Sequence, residues 1–409
     1  MTPVGSSGDV HPFIGIGRML RSRGHEVAIM TAAPFEAMVV RAGLTFHPTI
    51  SAEEFDRVTR DPALWHARKG LQIVMREVAA WLRPAYQLVS DCYRPGTVLV
   101  SHGLSMGTRL YEEKHGVPGA TLQLAPSVFQ TEYDPPALAP GRTMTAWPRW
   151  LKRLMWWGVD RYFLDPLIAP ALNDIRRDLG LPPVHRVMRE WMHSPRCVIG
   201  LFPDWFGPRQ PDWPRALHLT GFPLYDESDH QAALSPALER FLSEGTPPVL
   251  FTPGSANQLA ETFFAEAIAA TARIGRRALL LTRYASHLPS SMPSHAHHES
   301  YVPFSSVLPR CAAIVHHGGI GTLAQALAAG VPQVTMPMGF DQPDNATRLA
   351  RLGVGRWVLP SEFTRDRVAA TLRELLDDPK VPAACARWSA QLRDDRSVER
   401  TCDLLEQVA

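Results

Sequence analysis

The chain has 409 residues, with 42 Lys and Arg against 40 Asp and Glu, a formal charge of +2 and 45% hydrophobic residues. At roughly 100–200 residues per domain this size implies two or three domains, and the apolar content excludes disorder as the main state. The balanced charge gives no case for nucleic acid as a partner, and no apolar run reaches the roughly 18 residues that a membrane-spanning helix needs.

Met1–Val4 precedes the glycine turn Gly5-Ser6-Ser7-Gly8 and is short beside the about 5–6 residues of an ordinary buried strand. The stub raises the expectation of a start further upstream. Pro12–Arg23 reads as an amphipathic helix stopped at Gly24, Glu26–Thr31 as a buried strand, Ala33–Ala42 as a helix and Leu44–Pro48 as a strand. Helix Leu71–Val89, strand Thr97–Ser101, helix Thr108–His115 and strand Gly119–Leu124 follow. Strands alternating with helices predict parallel βαβ winding. The rhythm returns with strand Pro248–Thr252, helix Gln258–Arg273, strand Arg277–Thr282 and strand Ala312–Val315. Helix Thr322–Ala329, strand Gln333–Met336, helix Asn345–Leu352 and strand Gly355–Leu359 complete it. Between the halves, Tyr133–Ser235 reads as irregular and rich in Pro and Trp, Ser290–Glu299 as a loop, and Val381–Val408 as helical. The predicted organisation is a first domain over 1–220, a linker over 221–235, a second domain over 236–380, and a helical segment over 381–409 that packs across both. Cys92, Cys197, Cys311, Cys385 and Cys402 are odd in number and form no CxxC pair. They read as buried thiols of a reducing compartment, so the expectation is a cytoplasmic protein.

The strongest motif is His316-His317-Gly318-Gly319-Ile320-Gly321-Thr322, followed by Gly330-Val331-Pro332 and Asp341-Gln342-Pro343-Asp344-Asn345. A strand ends, glycines let the backbone approach a ligand, and a helix starts at once. Its first N–H groups, with the Thr322 hydroxyl, suit a diphosphate, and an imidazole at His317 can donate to a phosphate oxygen. An ordinary tight βα turn explains the glycines alone but not the spacing through Asp341-Gln342.

The block resembles the donor-binding signature of family 1 nucleotide-sugar glycosyltransferases of the GT-B class. Gly5-Ser6-Ser7-Gly8-Asp9-Val10-His11-Pro12 resembles the acceptor-side turn of their bacterial and sterol-modifying members. In the middle, Trp191-Met192-His193-Ser194-Pro195, Leu201-Phe202-Pro203-Asp204-Trp205-Phe206 and Thr220-Gly221-Phe222-Pro223-Leu224 resemble the second chain of bacterial rhamnolipid rhamnosyltransferase. The resemblance implies an α/β, GT-B fold, two Rossmann-like parallel domains facing each other across a cleft, with the acceptor in 1–220 and the nucleotide sugar in 236–380. It implies that His317, Thr322 and the amides of Gly319 and Gly321 hold the diphosphate, with Ser255 of Thr252-Pro253-Gly254-Ser255 reaching it as well. Val302 would present its backbone to the base, and Asp341 and Gln342 would bind the sugar hydroxyls. The ribose position, usually Glu in uridine-diphosphate users, is Gln325 here. An amide offers one acceptor oxygen where a carboxylate offers two, which leaves a deoxythymidine-diphosphate sugar open beside a UDP-sugar. At His317 and Thr322 the chain departs from the rhamnolipid enzyme, which carries Pro and Ala there.

Asp9 stands where the family has its general base. A hydroxyl attacking an anomeric carbon must lose its proton, and a positioned base contributes about 10²–10⁴-fold. The rival readings are Asp9 as a helix N-cap and His11 as the base. No Asp-x-Asp pair occurs, so no metal or other cofactor is expected, and the resemblance implies inversion in one in-line displacement. Gly103-Leu104-Ser105-Met106-Gly107 matches G-x-S-x-G between a strand and a helix, which keeps an esterase using Ser105 as an alternative. A catalytically silent partner protein is another. Gly15-Ile16-Gly17 falls inside a helix with no acidic residue after the second strand, so a dinucleotide reading fails. Trp147, Trp150, Trp156, Trp157, Trp191, Trp205 and Trp213 crowd one stretch beside Arg149, Lys152, Arg153 and Arg161. A peripheral membrane contact on one side, and an acceptor-pocket lid or interdomain core on the other, explain this equally well. Either predicts a hydrophobic, hydroxyl-bearing acceptor.

Overall fold

A computed structural model describes residues 1–66, 69–227, 234–254, 260–393 and 396–409. They fall into two units: Met1–Ala137 with Arg142–Pro223 and Arg396–Ala409, and Leu138–Gly141 with Leu224–Asp395.

In the first unit α1 (Ser7–Ser22), β1 (Ala28–Thr31), α2 (Glu36–Arg41), β2 (Thr45–Pro48), α3 (Ala52–Thr59), α4 (Lys69–Cys92), β3 (Leu99–His102), α5 (Met106–His115) and β4 (Gly119–Gln123) alternate in sequence. Then come α6 (Arg149–Val159), α7 (Asp165–Asp178), β5 (Val198–Gly200) and β6 (Leu217–Leu219). β1 pairs with β2, and β3 through β6 pair in sequence order, all parallel. Met1 and Thr2 join the two groups: Met30 N–H donates to Met1 O at 2.9 Å, and Thr2 N–H to Val100 O at 2.8 Å. The stub is therefore the central strand. Counted from it, the spatial order is third, second, first, fourth, fifth, sixth, seventh, the doubly wound arrangement with a switch of direction beside the first strand. β4 is buried at every position, as a strand covered on both faces must be.

The second unit holds α8 (Pro236–Ser243), β7 (Val249–Thr252), α9 (Glu261–Arg273), β8 (Ala278–Leu281), β9 (Ala296–Glu299), α10 (Phe304–Val307), β10 (Ala313–His316) and α11 (Ile320–Ala328). It continues with β11 (Gln333–Thr335), α12 (Gln342–Arg351), β12 (Gly355–Trp357), α13 (Arg365–Leu376) and α14 (Lys380–Ala390). Its six parallel strands run β12-β11-β10-β7-β8-β9, the same winding with the switch between β7 and β10. β7, β8 and β10 are buried throughout.

α15 (Ser397–Val408) belongs to the first unit and packs on α1. Ser397 Oγ donates to Phe222 O at 2.8 Å, and Arg23 pairs with Asp403 and Glu406 at 2.7 and 2.8 Å. The segment Val381–Val408 predicted as helical holds two helices, α14 and α15. The middle predicted as irregular carries α6, α7, β5 and β6, whose strands of three residues are too short to show a period. The predicted loop Ser290–Glu299 ends in the edge strand β9. Helices α3, α8, α10 and α13 escaped the sequence reading.

Candidate active site

At the first switch of winding, the chain leaves Met1–Thr2 and turns through Gly5 into α1. Gly5 has φ +135°, and a Cβ there would lie 2.2 Å from Asp9 Oδ2, so only glycine leaves room for the carboxylate. Ser6 is the N-cap of α1 and Asp9 its third residue. Asp9 Oδ2 accepts from Ser6 N–H at 2.6 Å and from Ser6 Oγ at 3.1 Å. This is a capping box, so Asp9 is not itself the N-cap. Both bonds fall on Oδ2. Burial pushes the carboxyl up from 3.8 to about 6 against the lowering effect of the two Ser6 bonds, which brings it within reach of general-base duty near neutral pH. His11 sits two residues on, and positions i and i+2 of a helix do not share a face.

At the second switch, β10 ends at His316 and α11 begins at Ile320 with Gly319 as N-cap. His316 is fully buried. Its Nδ1 accepts from Gly318 N–H at 3.1 Å, so Nε2 carries the proton and donates to Gln333 Oε1 at 3.0 Å. Burial lowers this imidazole to about 3: it is a neutral brace for the turn. Gly318 takes φ +95°, and its O accepts from Asn345 Nδ2 at 2.9 Å. His317 lies against two glycines. A Cβ on Gly254, at the end of β7, would stand 2.8 Å from His317 Cε1, and one on Gly319 would stand 2.4 Å from His317 Nε2. Its Nδ1 is buried and makes no hydrogen bond among the described residues, and burial lowers the ring to about 4. Neutral at pH 7, it can donate one N–H to an anion. The N–H groups of Ile320, Gly321 and Thr322, and the Thr322 hydroxyl, also have no partner among the described residues. Free first-turn amides at a helix start form an anion site. The structure thus brings His317, Gly319, Gly321 and Thr322 together; Ser255 lies outside the described residues.

Val302 buries its side chain in a cluster with Leu279, Val307 and Ile314, so only its backbone can serve a ligand. Neither its N–H nor its C=O is hydrogen-bonded among the described residues. Gln325 lies one turn beyond Thr322, on the same face of α11, half-buried. Asp341 Oδ2 accepts from Asn345 Nδ2 at 2.7 Å. Gln342 is buried, and its Oε1 accepts from Met338 N–H at 2.8 Å, which leaves its Nε2 as the group for a sugar hydroxyl. Sequence reasoning gave no positioning role to His316, Gln333, Asn345 and Gly254, which hold the turn.

Ser105 is no nucleophile elbow. Its φ is −80°, and its hydroxyl is hydrogen-bonded to Thr108 Oγ1 at 3.0 Å rather than to an imidazole. The flanking glycines have other duties: a Cβ on Gly103 would meet Gln123 Nε2 at 2.6 Å, and one on Gly107 would meet Leu82 O, across to α4, at 2.7 Å. Among the described residues no group of three His, Cys, Asp or Glu could hold a metal ion, and no helix is long and apolar enough to cross a membrane. Of the crowded tryptophans, Trp156, Trp191 and Trp213 are buried, whereas Trp147, Trp150 and Trp157 are exposed.

Two family models match the chain: the glycosyltransferase family 28 N-terminal domain over residues 1–133, and the erythromycin biosynthesis protein CIII-like C-terminal domain over 277–402. The chain is 32% identical to O-mycaminosyltylonolide 6-deoxyallosyltransferase of Streptomyces fradiae, over 99% of this chain and 96% of that protein. The solved glycotransferase of kitacinnamycin superposes with a TM-score of 0.75 at 22% identity, covering 100% of this chain and 98% of that one. The glycosyltransferase VinC, solved in complex with dTDP, gives 0.69 at 18% identity over 100% and 98% of the two chains.

Proposed function

Because the chain belongs to the GT-B glycosyltransferases of the family 28 and EryCIII-like antibiotic kind, with their two-domain α/β fold of parallel sheets, we propose that it moves a deoxyhexose from a dTDP-sugar to a hydroxyl of an apolar aglycone, with inversion and without a metal ion. The observation that carries this reading is the His317 turn: a neutral imidazole with a buried, unpartnered nitrogen beside the free amides of α11. These donors suit a departing diphosphate, and each is worth about 2.7–4 kcal/mol to a transition state that develops charge there.

In the reaction Asp9 takes the proton of the acceptor hydroxyl as its oxygen bonds the anomeric carbon. The bond from that carbon to the diphosphate breaks, and the nucleoside diphosphate leaves with the bonding pair. Gln325 favours dTDP over UDP, and the binding of dTDP by VinC supports the same choice. An antibiotic deoxysugar transferase among the relatives supports an apolar aglycone, as does the exposed tryptophan face of α6. The expected nearness to rhamnolipid and sterol enzymes draws no support from these relatives, and rhamnose remains one deoxyhexose among several. Peripheral contact of α6 with the inner face of the membrane is compatible with its aromatic face and is not needed by the reaction.

The test incubates the purified chain with a dTDP-deoxyhexose or UDP-glucose and a hydroxylated macrolide aglycone, and reads products by mass. A glycoside formed from the dTDP-sugar is expected; turnover only onto a polar sugar, or only by ester cleavage, would overturn the reading.

A further inference from the structure

The first unit contains a cavity of about 590 Å³ walled by α5, residues 129–130, the turn Val187–Trp191, His193–Pro195 and residues 212–216. Its volume falls in the range of small-molecule sites, and none of its walls belongs to the Asp9 turn.

Arg109 projects from the first turn of α5 and is 7% exposed. Its Nε donates to His193 O at 3.3 Å, and its guanidinium lies over the Trp191 ring at 5.4 Å. Nη1 is buried and makes no hydrogen bond among the described residues. The nearest carboxylates, Glu112 and Glu113, stand 3.7 and 3.9 Å away, beyond hydrogen-bond reach, and both are engaged elsewhere. Glu113 takes Arg176 at 2.7 Å and Trp191 Nε1 at 2.6 Å, and Glu112 takes Ser194 Oγ at 2.6 Å. The Arg109 charge is thus met only by two long ion pairs, and a buried charge is costly unless it is well paired.

The rest of the lining divides the same way. Arg189 approaches Asp160 only to 4.0 Å, and the Arg215 side chain has no partner among the described residues. The acidic wall residues are already held: Glu190 by Arg186 at 3.0 Å, and Asp212 by Thr131 Oγ1 at 2.6 Å and Glu132 N–H at 2.7 Å. The lining thus offers three guanidinium groups, while Asp212 has both carboxylate oxygens engaged and Glu190 one. Gln130 also lines the cavity, its Nε2 held by Asp160 Oδ1 at 2.8 Å.

We propose that this cavity binds a small organic anion, its carboxylate or phosphate taken by Arg109, Arg189 and Arg215. The proposal does not rest on the transferase reading, and either can fail alone.

The test is calorimetric titration of the full chain with 4-hydroxybenzoate, with glycerol 3-phosphate and with uncharged 4-hydroxybenzyl alcohol. At least one anion is expected to bind saturably with Kd below about 1 mM, and the probe that binds tells carboxylate from phosphate. The alcohol should bind at least tenfold more weakly. Arg109→Gln should weaken the anion at least tenfold. Because Arg109 is buried, the surface variant Arg189→Ala/Arg215→Ala, which spares the core, should do the same. Asp9→Asn should bind the anion as the wild type does while losing transfer. Saturation by neither anion, equal binding of the alcohol, or unchanged affinity in the surface variant would overturn the proposal.

Discussion

Asp9 answers two opposed demands. Its Oδ2 closes the capping box of α1 through Ser6, which favours the charged form, while burial raises the carboxyl to about 6 and makes charge costly. A carboxyl raised in the folded state imposes no penalty below its unfolded value near 4, and the full penalty once pH passes about 6. Stability therefore falls between those values, by at most about 3 kcal/mol for a two-unit shift. Asp9→Asn keeps the acceptor for Ser6 and removes the charge. It should raise the melting temperature at pH 8, change little at pH 4, and lower kcat by about 10²–10⁴-fold. In the wild type, kcat/KM should rise with pH through about 6; a profile flat from pH 5 to 8 would deny Asp9 the role of base. Asp9, His317, Gly319 and Thr322 were legible in the sequence because strand, turn and helix start lie within one short run. His316–Gln333 and Asn345–Gly318 were not, since they join residues 17 and 27 positions apart that only the sheet winding brings together.

At the scale of elements, each βα turn works only if glycine stands where the backbone must come close. Gly254 and Gly24 have nearly the same φ, +96° and +95°. A Cβ on Gly254 meets the His317 ring, however, whereas one on Gly24 meets nothing within 4 Å. Alanine at either should cost about 1–3 kcal/mol in strain. Gly254→Ala alone should also weaken dTDP binding, by about tenfold or more, because it displaces the imidazole. Equal dTDP affinity in the two variants, read by calorimetry, would detach Gly254 from the site. Asn345 braces the same turn from α12, so Asn345→Leu should raise the donor KM more than it lowers kcat. The helices of the middle were hidden because Pro166 and Pro170 interrupt the pattern of α7, although Pro166 falls in its first turn, where proline is tolerated.

Across the whole molecule, both sheets are wound alike, and each places its candidate residues at the C-terminal ends of strands beside the switch of direction, where open α/β sheets bind ligands. Two halves were legible from alternating strands and helices. That a terminal helical segment reaches the first unit was expected; the contacts that seat α15 there were not legible. They include Thr401 Oγ1 donating to Thr220 Oγ1 at 2.8 Å and Cys402 packed against α1, which no local pattern announces. The same holds for the stub Met1–Thr2, whose place as central strand rests on partners on both sides. The claim on which the account depends is that the turn at the head of α11 grips a nucleoside diphosphate through His317. Calorimetric titration of dTDP into the wild type, Asp9→Asn and His317→Ala tests it most directly. The account predicts equal affinity in the first two and a loss of about 100-fold in the third; His317→Ala binding dTDP as tightly as the wild type would contradict it.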